Sequence, residues 1–92
     1  MYGRFPLREM NMNTTDVDVI ALIKKTGKIR PLYIVWESEG TGEKTFYKID
    51  KITYHLEQPA GHHVWHVVIN GQTRQLRYSG KSWQIGSDGY WN

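Results

Sequence analysis

The sequence has no cysteine among its 92 residues. No disulfide framework can therefore hold the domain together. Because small secreted domains usually depend on disulfides, this absence favours the cytoplasm. Residues 1–6 lack the apolar core of a signal peptide, and no apolar run approaches the roughly 20 residues needed to cross a bilayer. We therefore expect a single cytoplasmic domain with no membrane partner.

Recognised catalytic and cofactor motifs are also missing from the chain. None of its serines lies in a Gly-x-Ser-x-Gly elbow, and there is no His-Glu-x-x-His pair or phosphate-binding glycine loop followed by Lys-Ser/Thr. The formal net charge is only +3, which permits an anionic partner without requiring one. We therefore expect a binding module rather than an enzyme, with no cofactor.

Aromatic residues make up 13% of the chain, and nine glycines provide turns between short β-branched and aromatic runs. Such residues suit a pleated, half-buried surface. We predict a flexible tail at 1–15, a domain at 16–86 and a frayed end at 87–92. Strands are predicted at 16–23, 31–37, 44–57, 63–69, 72–78 and 82–85. The first of these also fits a short helix, because Asn13, Thr14 or Thr15 could cap it and Lys24, Lys25 and Gly27 would suit its end.

The phase of alternation changes inside the 44–57 segment. Tyr47 and Ile49 share one parity, whereas Ile52, Tyr54 and Leu56 share the other. A β-bulge near Asp50-Lys51 would reconcile them and bend the strand. The sequence thus predicts an all-β fold, a small bent antiparallel sheet or barrel of five to six strands. Its predicted core is Ile20, Leu32, Ile34, Trp36, Tyr47, Ile49, Ile52, Tyr54, Trp65, Val67, Ile69, Leu76, Tyr78 and Trp83.

The order of several of these residues resembles a family of small uncharacterised bacterial β-domains, some of them encoded beside lesion-bypass DNA polymerases. The resemblance spans roughly residues 19–85. It is carried by Pro31 and Trp36, Tyr47-Lys-Ile-Asp50, Val67-x-Ile69-x-Gly71, Leu76 and Trp83. Because these are core and turn residues, the resemblance implies a fold and brings no catalytic residues with it.

Histidines cluster around the predicted turn at 58–61. If Pro59 to His62 form a four-residue loop, His55 faces His66 across the hairpin with Glu57 diagonal to it. Two imidazoles and a carboxylate form a weak candidate metal site. An ordinary cross-strand pair is the more economical interpretation, so no metal is predicted.

Several aromatic and basic side chains should face away from the core. Phe46 and His55 belong to this outward set, which suits stacking of bases and tracking of phosphates in single-stranded nucleic acid. The candidate nucleic-acid-binding residues are Tyr33, Lys48, Lys51, His66, Arg77 and Lys81. The alternative function is protein interaction or homodimer formation through an edge strand, at 16–23 or 82–85.

Overall fold

The computed structural model describes residues 14–86, and the predicted tail before residue 14 and the predicted frayed end at 87–92 lie outside them. The described chain is all-β and forms one seven-stranded antiparallel sheet. The strands are β1 (Thr15–Ile23), β2 (Ile29–Glu37), β3 (Lys44–Lys48), β4 (Lys51–Gln58), β5 (His62–Ile69), β6 (Gln72–Tyr78) and β7 (Trp83–Ile85). The prediction of an all-β fold is confirmed, and 16–23 is a strand. Between residues 14 and 86 no helix is long and apolar enough to span a bilayer.

The sheet curls into a half-barrel because its two edge strands follow one another in the chain. The strand order is β3-β2-β1-β7-β6-β5-β4. At the corner Ile49-Asp50, the amide of Ile49 donates to the carbonyl of Leu32 on β2. The next amide, that of Asp50, donates to the carbonyl of Val68 on β5. The predicted single strand at 44–57 is therefore two strands, and this raises the count from six to seven.

The hairpin signals in the sequence are reproduced. Asn70 and Gly71 form the two-residue turn between β5 and β6, with φ of 51° and 76°. A type I′ turn needs positive φ at both positions, and Asn-Gly is the pair best suited to it. Gly27, with φ of 93°, likewise closes the turn between β1 and β2.

The core lies on the concave side of the sheet, which we call the inner face. Trp65, Val67 and Ile69 of β5 alternate onto it, together with Leu76 of β6 and Ile85 of β7. Val17 and Val19 of β1 also pack there, which places Ile20 on the opposite, outer face at 42% exposure. The prediction that Ile20 is a core residue was therefore wrong, because β1 uses its odd positions inward.

The predicted edge strands were also wrong. β1 lies between β2 and β7, and β7 lies between β1 and β6, so both are interior to the sheet. The edges are β3 and β4. Within residues 14–86 each of these strands has a partner on one side only.

Candidate nucleic-acid interface and histidine cluster

The orientation of β4 side chains is set by a bulge at Thr53. Ile52 pairs with Val67 and Tyr54 pairs with His66, so two steps on β4 match one step on β5. The Thr53 hydroxyl donates to the carbonyl of His66. This irregularity lies two residues beyond the predicted bulge at Asp50-Lys51. It turns Tyr54 to the outer face.

The bulge also corrects the predicted hairpin register. Beyond it, His55 pairs with Trp65 rather than with His66, and the turn is the three-residue segment Pro59–Gly61. His55 therefore points inward while His66 stays on the outer face. Tyr54 and Leu56, which were predicted to alternate inward, are 46% and 41% exposed.

The outer face of β4, β5 and β6 brings exposed aromatic and basic groups together. The rings of Tyr54 and His66 are 4.8 Å apart between centroids and tilted by 37°. On β5, Val68 and Val64 lie two residues to either side of His66. Lys51 of β4 pairs with Val68, and Arg77 of β6 pairs with Val64. Lys51, His66 and Arg77 therefore follow one another in steps of about 7 Å along the strand direction.

Among the residues of β4, β5 and β6, no acidic side chain points to this face. Glu57 is the single acidic residue of β4, β5 and β6, and it lies on the inner face in register with His63. Val64 and Gln75 on the outer face are buried, and its accessible groups include Tyr54, Leu56, Thr73 and the flanking cations. This accessible strip has a positive charge at neutral pH.

The other predicted nucleic-acid-binding residues lie on β2 and β3 and in the turn between β6 and β7. Tyr33 and Lys48 are cross-strand partners on the outer face of β2 and β3, next to exposed Phe46. They continue the outer surface around the corner at Ile49-Asp50. Lys81 lies in the turn between β6 and β7 and is not part of either group.

A cluster of parallel rings lies on the inner face behind Tyr54. The Nε2 atom of His55 and the Nδ1 atom of His63 are 3.0 Å apart and share a hydrogen bond. Their centroids are 5.2 Å apart with planes inclined by 12°, so the two nitrogens face each other nearly in plane. Both imidazoles stack on the indole of Trp65, at 4.9 and 5.1 Å and at angles of 8° and 6°. The stack continues to Trp83, 5.4 Å from Trp65.

The surroundings favour neutral His55. Burial lowers its pKa from 6.5, and the positive charge that His63 can carry lowers it further, whereas the carboxylate of Glu57 raises it. A neutral pair holds one proton between the facing nitrogens, and protonation of both would place two N–H groups against each other. The geometry therefore supports the hydrogen-bonded neutral form.

The candidate metal set of His55, Glu57 and His66 does not converge. His66 lies on the outer face, while His55 and Glu57 point to the inner face. Among residues 14–86 there is no group of three or more histidine, aspartate or glutamate side chains arranged to hold a metal ion. The histidines instead separate into an outer contact with Tyr54 and an inner pair on Trp65.

An acidic groove of about 750 Å³ lies where β1 begins and β2 ends. Asp16, Asp18, Glu37 and Glu39 line it together with Trp36. Carboxylates at this density repel a phosphate backbone. Asp16 of this groove pairs with Gln84 of β7, and Gln84 pairs with Arg77, so the groove lies two strands away from β6.

Three residues of these clusters were missed by sequence reasoning. Tyr54 was assigned to the core, and no role was given to His63 or Arg74. Arg74 is 5% exposed on the inner face and donates to the carbonyl of Thr73 and the side chain of Gln72. The even-position alternation of Leu76 and Tyr78 along β6 was the signal that places Arg74 inward.

Comparisons with family models, with curated proteins and with solved structures found no match for this chain.

Proposed function

We propose that the domain binds single-stranded nucleic acid through the outer face of β4, β5 and β6. The observation that carries the proposal is the contact between exposed Tyr54 and half-buried His66, with Lys51 and Arg77 on either side of it. Bases stack on such rings whatever their sequence, and the cations contact phosphates. Binding would accordingly show little sequence preference.

Two further features support this choice of ligand. The three strands of the face contain one acidic residue, Glu57, which points inward. Around the corner, Tyr33, Phe46 and Lys48 repeat the combination of ring and cation on β2 and β3. A strand crossing the corner would therefore meet a second stacking position.

The test is fluorescence anisotropy with a mixed-sequence single-stranded DNA and the variant Tyr54→Ala. Loss of one stacking platform is worth about 1–3 kcal/mol, so we expect affinity to fall by roughly 5- to 150-fold. Leu56→Ala is the matched control, because Leu56 is on the same strand and face at similar exposure and has no ring. We expect it to change affinity by less than about threefold.

Salt dependence provides the second measurement. Log affinity should fall linearly with log salt, and Lys51→Gln should reduce the slope by about one, since one phosphate contact is lost. Equal losses in Tyr54→Ala and Leu56→Ala, or affinity that does not change with salt, would contradict base stacking combined with phosphate contact.

A second candidate function is self-association through an open sheet edge. It is favoured by β4, which is eight residues long and has a partner on one side only within the described chain. An unpaired edge offers amides and carbonyls to another strand. Sedimentation over a range of protein concentrations would detect a dimer, and Leu56→Lys should weaken it by adding charge to that edge.

A further inference from the structure

The hairpin formed by β1 and β2 extends beyond the strands on either side of it. β7 pairs with β1 only at Thr15–Val17, and β3 pairs with β2 only at Tyr33–Glu37. Within residues 14–86, no third strand pairs with residues 22–30, which we call the hairpin tip. At a rise of about 3.3 Å per residue, the tip reaches roughly 23 Å along β1 from the last residue that pairs with β7. The tip is therefore a two-stranded ribbon that is accessible from both faces.

Charge at the hairpin tip is of one sign. Lys24, Lys25, Lys28 and Arg30 are exposed, and no aspartate or glutamate occurs in residues 19–36. The register of β1 and β2 continues through a hydrogen bond from the amide of Lys24 to the carbonyl of Lys28, so these two lysines oppose each other across the ribbon. Like charges directly opposite one another destabilise a strand pair. An anionic partner on the tip would relieve this repulsion.

The hairpin tip differs from the outer face of β4, β5 and β6 in having no ring. Residues 19–32 contain no aromatic residue and no histidine, so the tip has no platform on which an unpaired base could stack. Its cations suit phosphates whose bases are already paired, as they are in a duplex. The major groove of B-form DNA is about 12 Å wide and admits a two-stranded β-ribbon. The composition and the shape of the tip therefore favour duplex DNA.

The cations of the tip continue toward the face proposed to bind a single strand. Arg30 lies on the outer face of β2, and Lys48 lies on the same face at the end of β3. Lys51 follows beyond the corner and begins the outer face of β4. Asp50 at the corner is acidic, and its Oδ2 accepts a hydrogen bond from the amide of Asn70. Basic side chains thus lead from the hairpin tip around the corner to β4.

We propose that the hairpin tip binds the backbone of duplex DNA, and that the domain binds a junction between a single and a double strand. The proposal rests on the proposed function, because the single strand of the junction occupies the outer face of β4, β5 and β6. Lys24, Lys28 and Arg30 contact phosphates of the duplex, while Tyr54 stacks on an unpaired base. A junction presents both ligands on one molecule, so its affinity exceeds that of either part alone.

The test is fluorescence anisotropy with three DNA probes, which are a blunt duplex, a single strand, and the same duplex with a single-stranded tail. The protein should bind the tailed duplex about tenfold or more tightly than either of the other probes. In Lys24→Gln/Lys28→Gln, the slope of log affinity against log salt for the tailed duplex should fall by about two, since two phosphate contacts are lost. Binding of the single strand should change by less than about threefold, because charges beyond a Debye length are screened.

Lys44→Gln/Lys81→Gln is the matched control for this double variant. It removes the same two charges from exposed positions on β3 and in the turn between β6 and β7, outside the hairpin tip. We expect the salt slope for the tailed duplex to stay as it is in the unmodified protein. The proposal is overturned by a tailed duplex that binds no more tightly than the single strand, or by an equal fall of the slope in the two double variants.

A lipid surface is the alternative ligand of the tip, because Leu22 and Ile23 are 46% and 67% exposed beside its cations. Sedimentation with vesicles that contain phosphatidylglycerol tests it. Vesicle binding that Leu22→Ser/Ile23→Ser abolishes, in a protein that does not bind the blunt or the tailed duplex, would overturn the assignment to DNA. Failure of the proposed function is separate, since it appears as single-strand binding that is unaffected by Tyr54→Ala.

Discussion

Replacing Trp65 with alanine tests whether the ring stack on the inner face holds the domain together. The Trp65 side chain is 1% exposed, and its indole lies parallel to His55 and His63 and close to Trp83. Truncating a buried tryptophan costs about 3–5 kcal/mol. A 92-residue domain is stable by about 5–14 kcal/mol, taken from about 0.05–0.15 kcal/mol per residue. We therefore expect Trp65→Ala to remove a large part of the total.

Urea unfolding followed by far-ultraviolet circular dichroism measures this loss, because tryptophan fluorescence would itself change in the variant. The midpoint should fall at an unchanged slope, which indicates lost stability rather than a different unfolded state. Trp83→Ala is the matched comparison. Trp83 is only half-buried and lies at the end of the stack against Tyr78, so we expect roughly half the loss. A Trp65→Ala loss below about 1 kcal/mol, or smaller than that of Trp83→Ala, would refute this account of the core.

Two further predictions concern protonation and the β5–β6 turn. The pKa of His55 in the folded state is below 6.5, so on acidification the unfolded state binds a proton first. The free energy of unfolding should therefore be constant above pH 6.5 and decline as the pH falls from 6.5 toward the lowered pKa of the folded state. Urea midpoints from pH 8 to pH 5 measure this, and His55→Phe should reduce the decline, whereas a midpoint that rises on acidification would contradict it. Gly71→Ala should cost about 1–2 kcal/mol in thermal unfolding, because φ is 76° and a Cβ there would meet no atom within 4 Å, so the loss is conformational. Asn70→Gly keeps positive φ accessible and should be nearly neutral, and equal losses in the two variants would argue against a type I′ turn.

The parts of the fold that could be predicted from sequence are those decided by local chemistry. Asn70-Gly71 closes its hairpin because few other dipeptides accept positive φ at both positions. Trp65, Val67 and Ile69 alternate inward without interruption, so β5 was assigned to the correct face. Each of these signals lies within a few consecutive residues and does not depend on what the rest of the chain does.

At Ile49-Asp50 the chain changes its partner strand from β2 to β5. The sequence predicts this only as a change in the phase of apolar alternation. Alternation shows that Tyr47 and Ile52 cannot share a face in one regular strand, and a bulge and a strand boundary give the same pattern. The strand boundary is distinguished from a bulge by the backbone hydrogen bonds, because the amide of Ile49 donates to β2 and the amide of Asp50 donates to β5. That is a property of the sheet order, to which residues distant in the sequence contribute.

The bulge at Thr53 could not be predicted from the alternation of apolar residues, for a different reason. Ile52, Tyr54 and Leu56 have the spacing of a regular apolar face, and such a face would bury all three. The observed register instead exposes Tyr54 and Leu56 and places His55 on Trp65. The burial of Tyr54 and Leu56 is thus exchanged for ring stacking and a hydrogen bond between His55 and His63. The periodicity of the sequence reports the apolar burial only and carries no information on the stacking or the hydrogen bond.

The outer stacking position at Tyr54 and the inner pair of His55 and His63 both depend on the extra residue Thr53 in β4. If β4 continued from Ile52 without the bulge while its far end kept the predicted loop at Pro59 to His62, Tyr54 would turn inward and His55 would lie opposite His66. The outer face would then lose the ring that carries the nucleic-acid proposal, and His63 would lose its hydrogen-bond partner His55. Since a single change of register turns Tyr54 outward and His55 inward, the stacking position and the histidine pair lie back to back on β4 and β5. The exposure of Tyr54 and Leu56, which a stability argument alone would count against this register, is explained if that face has a ligand.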